Sequence, residues 1–202
     1  MRVAVLASGA GTNLQAILDT VHGRDGIEVV AVGSDKVDAG ALERARAAGV
    51  ETATFPAGDF ADREERDAAI GDWLDGREVQ LLVLAGYMQL LSEAFVRRFA
   101  LRAINVHPAL LPSFTGLDAI GQALDYGVWT TGVTVHFVDE GVDTGPVLLQ
   151  RAVAVPASRD RAELEAAIHA VEHELLPEAV RLIASGRVNF DDENPRIVRV
   201  SE

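Results

Sequence analysis

The chain has 202 residues, enough to bury a full core as one large domain or two small ones, and 49% of them are hydrophobic, which excludes a disordered polypeptide. It contains no cysteine, so disulfides, thiol nucleophiles and cysteine-ligated zinc are excluded, and a cytoplasmic location is expected. A formal net charge of -13 argues against sequence-independent nucleic-acid binding, and no apolar run is long enough to span a bilayer, so neither nucleic acid nor membrane is an expected partner. Residues 2–7 are predicted as a strand rather than the start of a signal peptide, because Ser8-Gly-Ala-Gly11 interrupts the apolar run at once. A helix over 12–22, a strand over 27–33 and a helix over 39–48, stopped by Gly49, follow in order. Next come a short strand near 51–55, a charged helix over 62–74, a strand over 80–85, a helix over 92–99 and a strand over 101–106. This alternation predicts a doubly wound, mostly parallel, Rossmann-like α/β sheet covered on both faces.

The second half changes character. Residues 131–138 and 146–155 are strand-like runs joined by an acidic turn at 139–145, which predicts an antiparallel extension of the sheet. Over 161–183, Leu164, Ile168, Val171, Leu175 and Leu182 recur at helical spacing, predicting a long C-terminal helix that Pro177 kinks or divides. The tail after Gly186 carries Asp191-Asp-Glu-Asn-Pro195 and is expected to be loosely held. No repeat or linker interrupts the chain, so a single domain over 1–202 is expected.

Ser8-Gly-Ala-Gly-Thr-Asn13 lies between the first strand and the first helix. Its glycines permit a tight turn, and the helix N-terminus offers unpaired N–H groups with the positive end of a dipole, a setting for a phosphate or for an ordinary capped βα turn. No Gly-Lys-Ser/Thr follows, so it is not a P-loop, and Leu14 stands where the dinucleotide fingerprint needs a third glycine. Asp35, near the end of the second strand, leaves a nicotinamide reading open.

Asn105 and His107 are two apart at a strand end, so both project to one side, and Pro108 biases His107 towards extended backbone. The run Val138-Asp-Glu-Gly-Val-Asp-Thr-Gly-Pro146 supplies the carboxylate of Asp143. An amide, an imidazole and an acid form a set that can stabilise and deprotonate a tetrahedral intermediate, provided the fold brings them together. His136 is expected to be packed within its strand, and His22 to end a helix. His169 and His173 are four apart but lack the His-Glu-x-x-His pattern, so no metal site is expected.

Five motifs in this order, Ser8-Gly-x-Gly-Thr-Asn13, Leu84-Ala-Gly-Tyr-Met88, Ile104-Asn-Val-His-Pro-x-Leu-Leu-Pro112, Thr131-Gly-x-Thr-Val-His-Phe-Val138 and Asp139-Glu-Gly-Val-Asp-Thr-Gly-Pro146, resemble those of the phosphoribosylglycinamide formyltransferases. The resemblance runs from residue 1 to about Gly186. It implies formyl transfer from 10-formyltetrahydrofolate to the amine of glycinamide ribonucleotide in purine biosynthesis, by a monomer or homodimer. It also implies a phosphate-binding half over about 1–100, a folate and catalytic half over about 101–186, and a tail over 187–202. Gly11, Thr12 and Asn13 would bind the substrate phosphate and Glu172 its ribose. Arg63, Met88, Gln89, Leu90, Leu91 and Asn105 would line the folate site, with Asp139, Glu140, Gly141 and Val142 shaping the pterin pocket. Asn105, His107 and Asp143 would be catalytic. Thr115, Asp118 and Gln89 depart from the pattern of some relatives.

No covalent formyl-enzyme is expected. Asp143, as an adjacent anion, is expected to raise the pKa of His107. A hydrolase of the same formyl-folate is the nearest alternative, although such hydrolases normally carry an additional N-terminal domain for which 202 residues leave no room. A nicotinamide-dependent oxidoreductase and a non-catalytic binding domain are more distant.

Overall fold

Strand and helix alternate from the first residues of the computed structural model, which describes residues 1–201. The strands β1 (Arg2–Leu6), β2 (Glu28–Ser34), β3 (Glu51–Thr54), β4 (Leu81–Leu84), β5 (Ala103–His107), β6 (Thr130–Phe137) and β7 (Val147–Ala154) form one sheet in the order β3-β2-β1-β4-β5-β6-β7. The β1–β2, β1–β4, β2–β3 and β4–β5 pairs are parallel, whereas β6–β7 is antiparallel. The helices are α1 (Thr12–Thr20), α2 (Gly40–Ala47), α3 (Arg63–Asp75), α4 (Glu93–Arg98), α5 (Ala119–Tyr126) and α6 (Arg161–Ala184). The doubly wound sheet with its antiparallel end and long C-terminal helix is the architecture that the alternating pattern predicts.

The chain clusters into two compact units, Met1–Asn105 and the residues from Val106 onward. In the first unit the interior strands read as unbroken apolar runs because both faces are covered. All four residues of β4 are buried, as are Val3 to Leu6 of β1. The chain winds outward from β1 through β2 to β3, then returns to lay β4 on the other side of β1. That reversal makes the β1–β4 boundary the topological switch point, beyond whose carboxyl ends ligands bind in open α/β sheets.

Three features depart from the expectations. Pro177 does not divide the last helix: α6 runs unbroken for 24 residues, and Pro177 is buried with Leu175, Leu176, Ala179 and Val180 on a helix that packs on β6 and β7. Core burial there offsets the missing N–H, a cost of about 3 kcal/mol in an isolated helix. The 108–129 stretch, where no helix was expected, contains α5, which Asp118 opens by accepting Gly121 N–H (3.3 Å) and Gly127 closes in the left-handed region. Finally, the tail is structured. Strands β8 (Val188–Phe190) and β9 (Val198–Val200) form an antiparallel hairpin, its loop closed by Asp191, which accepts from Glu193 N and Asn194 N and pairs with Arg199.

Candidate active site

At the switch point of the first unit, β1 gives way to the glycine turn and β4 to residues 85–92. Gly11 opens α1 with φ 74°, and a Cβ there would lie 2.6 Å from Ala41 Cα, so glycine is required by conformation and by the approach of α2. Having no side chain, Gly11 gives α1 no side-chain cap, and Thr12 and Asn13 form the first turn, where a helix presents its N–H groups. This is the local chemistry of an anion site. Asn13 is buried and Thr12 half-buried.

Two hydrogen bonds join the turn to the neighbouring segment: Ser8 N donates to Gly86 O (3.0 Å), and Met88 N to Ser8 Oγ (2.8 Å). Met88 and Leu90 are 59% and 63% exposed, apolar side chains left open next to a switch point. Gln89 turns inward, donating Nε2 to Asp35 Oδ2 (2.9 Å) and accepting from Arg66 Nη1 (3.1 Å). Asp35, 8% exposed and engaged by Gln89, is not presented for a nucleotide ribose. Arg63 opens α3 at the surface and pairs with Glu64.

The charged helix α3 buries an ion pair. Arg66 Nη2 lies 2.8 Å from Asp67 Oδ1, with the side chains 4% and 1% exposed. Arg66 also donates to Leu90 O (3.1 Å), and Asp67 Oδ2 accepts Ser92 N (2.5 Å), so the pair anchors the 89–92 backbone. Arg66 thus also holds the Gln89 side chain. Burial pushes the Tyr87 phenol up to about 12, Arg66 opposing and the Asp35 and Asp67 charges adding, so it stays neutral.

In the second unit, the strand-end histidine and the acidic turn meet. His107, 4% exposed, places Nδ1 3.3 Å from Asp143 Oδ2 and Nε2 2.8 Å from Phe114 O. His136 places Nε2 3.6 Å from Asp143 Oδ1 and Nδ1 2.9 Å from Phe137 O. Asp143 Oδ2 also accepts Gly116 N (2.8 Å). One carboxylate therefore sits between two imidazoles. Asn105 precedes His107 by two residues on β5 and is half-buried.

The supports are local. Thr134 Oγ1 on β6 donates to Ala109 O (2.6 Å) and accepts Leu111 N (3.1 Å), fixing the chain just after His107. Asp139 Oδ1 accepts Thr144 Oγ1 (2.6 Å) and Gly141 N (3.2 Å), closing the acidic turn. At Gly145 a Cβ would fall 1.8 Å from Phe137 O, so only glycine lets the turn return beside β6. Asp143 itself has φ 54°, a left-handed backbone that a non-glycine residue keeps only when its surroundings hold it.

The electrostatics differ from the simple expectation. Burial pulls the His107 pKa down, and although Asp143 and the Phe114 carbonyl act upward, the net direction is downward, with His136 adding to the fall. The neighbouring anion does raise this imidazole, but desolvation outweighs it. The Phe114 carbonyl and the Asp143 carboxylate both only accept, so a neutral ring donates to one of them; the shorter contact, 2.8 Å against 3.3 Å, assigns the proton to Nε2, and a second proton on Nδ1 converts the carboxylate contact into an ion pair. For Asp143, burial acts upward but is outweighed by the His136 contact, the Gly116 N–H and the two imidazole charges, so its carboxyl lies below the usual range.

His136, expected to be merely packed, is thus part of the cluster. The signal was its place on the strand that leads straight into the acidic turn. Phe114 and Gly116 contribute only backbone atoms, which residue types cannot reveal. Glu172 is 5% exposed on α6. His169 and His173 lie on that helix with rings 6.3 Å apart, and among the described residues no group of three or more His, Asp or Glu side chains is placed to hold a metal. No described helix is long and apolar enough to cross a membrane.

Comparison with known proteins fits this arrangement. Residues 1–180 match the family described as formyl transferase. The chain is 40% identical over 192 residues to the phosphoribosylglycinamide formyltransferase of Haemophilus influenzae, covering 95% of this chain and 91% of that one. It is 44% identical over 188 residues to the trifunctional purine biosynthetic protein adenosine-3 of Drosophila pseudoobscura pseudoobscura, but spans only 14% of that longer protein. Its structure superposes on glycinamide ribonucleotide transformylase 1 of Symbiobacterium toebii with a TM-score of 0.95 at 45% identity, covering 100% of this chain and 94% of the other. With the five motifs, the sheet order and the family match in agreement, the chain belongs to the formyl transferase family, among its phosphoribosylglycinamide formyltransferases.

Proposed function

We propose that the protein transfers the formyl group of 10-formyltetrahydrofolate to the amine of glycinamide ribonucleotide in purine biosynthesis. The observation that carries this reading is the carboxylate of Asp143 set between His107 and His136, within a family of formyl transferases. Attack of the amine on the formyl carbon places negative charge on the formyl oxygen, and the residues act on that charge. His107 Nε2–H, held at rest by the Phe114 carbonyl, exchanges that acceptor for the formyl oxygen. The Asn105 amide donates from the same strand face. A buried imidazole with a depressed pKa is neutral at rest, so as negative charge develops beside it Nδ1 takes up the proton released by the attacking amine, Asp143 stabilises it there, and it passes to the folate nitrogen as that nitrogen departs. Asp143 also orders a water that carries the amine proton towards the folate nitrogen.

Gly11, Thr12 and Asn13 are assigned to the substrate phosphate on the strength of the uncapped α1 terminus. Glu172 is assigned to the ribose. The exposed apolar side chains of Met88 and Leu90, with Gln89, Leu91 and Arg63, suit an aromatic, anionic folate, as do Asp139, Glu140, Gly141 and Val142, where Val142 is 50% exposed. The donor set of amide, imidazole and carboxylate performs this chemistry without a metal.

Incubation with formyl-folate in the presence and absence of glycinamide ribonucleotide tests the proposal. Transfer gives N-formyl product in a one-to-one ratio with deformylated folate, and only when the amine is present. Equal release of formate without the amine would identify a hydrolase instead.

A further inference from the structure

The tail beyond α6 has no part in the assignments above, yet it touches the segment carrying Asp143 at three points. Arg196 Nη2 donates to Thr144 O (2.8 Å), the carbonyl of the residue after Asp143. Ile197 bridges to Val147, where the chain leaves the turn. The Phe190 ring packs, tilted by 57°, with its centroid 4.9 Å from that of Phe137, where the chain enters it and whose carbonyl engages His136 Nδ1. Contacts at entry, middle and exit bracket residues 137–147.

We propose that the C-terminal hairpin positions the catalytic turn, with Arg196 as the positioning residue that fixes the backbone beside Asp143. Asp143 sits in left-handed backbone, a conformation that persists only when it is held from several sides. Inside the turn, Asp139 ties back Thr144 Oγ1 and Gly141 N, and Phe137 N donates to Pro146 O (2.8 Å). From the preceding loop comes Gly116 N. None of these engages the Thr144 carbonyl; Arg196 does, with a charge-assisted donor. Arg196 is itself set in place, since its own N–H donates to Asn194 Oδ1 (3.1 Å) and Asp191 organises the loop that presents it. A guanidinium spent on a lone carbonyl at the surface adds little to folding. Its effect falls on the orientation of the carboxylate between the two imidazoles.

The inference rests on the reading of Asp143 as catalytic, and the test separates the two. In the full-length protein, Arg196→Ala lowers kcat roughly fivefold to tenfold, the rate equivalent of one charge-assisted hydrogen bond, while KM for both substrates stays within about twofold. Thermal midpoints stay within about 2 °C, because the bond is exposed. Arg196→Lys, which keeps a cationic donor, recovers most of the rate, and Arg196→Gln serves as a second variant without the charge. A wild-type kcat in both Arg196→Ala and Arg196→Gln, with Asp143→Asn inactive, would overturn the positioning role and leave the catalytic reading standing. A loss that Lys does not restore and that follows a fall in thermal midpoint would assign Arg196 to stability alone. Wild-type turnover in Asp143→Asn would instead remove the reading on which the inference rests.

Discussion

Asp143→Asn separates chemistry from structure at this site. Asparagine has the volume of aspartate, and the surrounding groups dictate its orientation. Gly116 N donates to Oδ2 at 2.8 Å, so the amide oxygen takes that position, facing His107. The amide nitrogen then faces His136 Nε2, which accepts once the neutral ring carries its proton on Nδ1, towards the Phe137 carbonyl. The variant therefore folds with its hydrogen bonds satisfied and its thermal midpoint at neutral pH within a few degrees. What it loses is the charge that stabilises a protonated His107 as the oxyanion develops. Loss of a preorganised electrostatic stabiliser of this kind costs about 3 kcal/mol, or about a hundredfold in kcat. Stability carries a separate signature. The folded Asp143 pKa is depressed, so its contribution is present above the unfolded carboxylate pKa and is lost as pH falls through the folded value. Thermal midpoints of the wild type should fall more steeply in the acid range than those of the variant. In the pH–rate profile, removing the influence that raises His107 moves its limb to lower pH. Steady-state formyl transfer across pH, with melts on the same samples, reads all three. A kcat within about threefold of wild type, or an unmoved limb, would refute the coupling of Asp143 to His107.

Other substitutions probe the remaining assignments. Asn105→Ala and His107→Ala should each lower kcat by about a hundredfold with little change in the dissociation constant for glycinamide ribonucleotide, measured by calorimetry. Gly11→Ala forces a Cβ against Ala41 and disfavours the left-handed turn, so KM for the phosphorylated substrate should rise while that for a dephosphorylated analogue does not. Arg66→Met leaves the Asp67 carboxylate buried without its cation; urea unfolding should show a loss of about 3–5 kcal/mol, and KM for formyl-folate should rise as the 89–92 backbone loosens.

The sheet was legible because its interior strands are buried on both faces, and an unbroken apolar run such as Leu81–Leu84 admits few other readings. His107 and Asp143 could be singled out by residue type and by their places at a strand end and in a glycine-rich turn. Their meeting depends on the β6–β7 hairpin and on a left-handed backbone at Asp143, which no local pattern encodes. The part His136 plays is hidden in the sequence, because one polar residue in an apolar strand reads as packing until its neighbour across space is known. Helix α5 leaves a weak sequence signal because it spans only eight residues and holds Gly121 within it. Pro177 does not divide α6, since tertiary burial overrides a local helix penalty. The tail strands are three residues each and are held by contacts with Phe137, Thr144 and Val147, partners about fifty residues away in the chain.

The state of the His107 ring is the point on which the mechanism turns. Nitrogen-15 NMR of the labelled imidazole, titrated through neutral pH in wild type and Asp143→Asn, reads it directly. The account requires Nε2 protonated and Nδ1 unprotonated at neutral pH, with Nδ1 gaining its proton at lower pH in the variant than in the wild type. A resting ring with its proton on Nδ1, or a titration indifferent to residue 143, would contradict it.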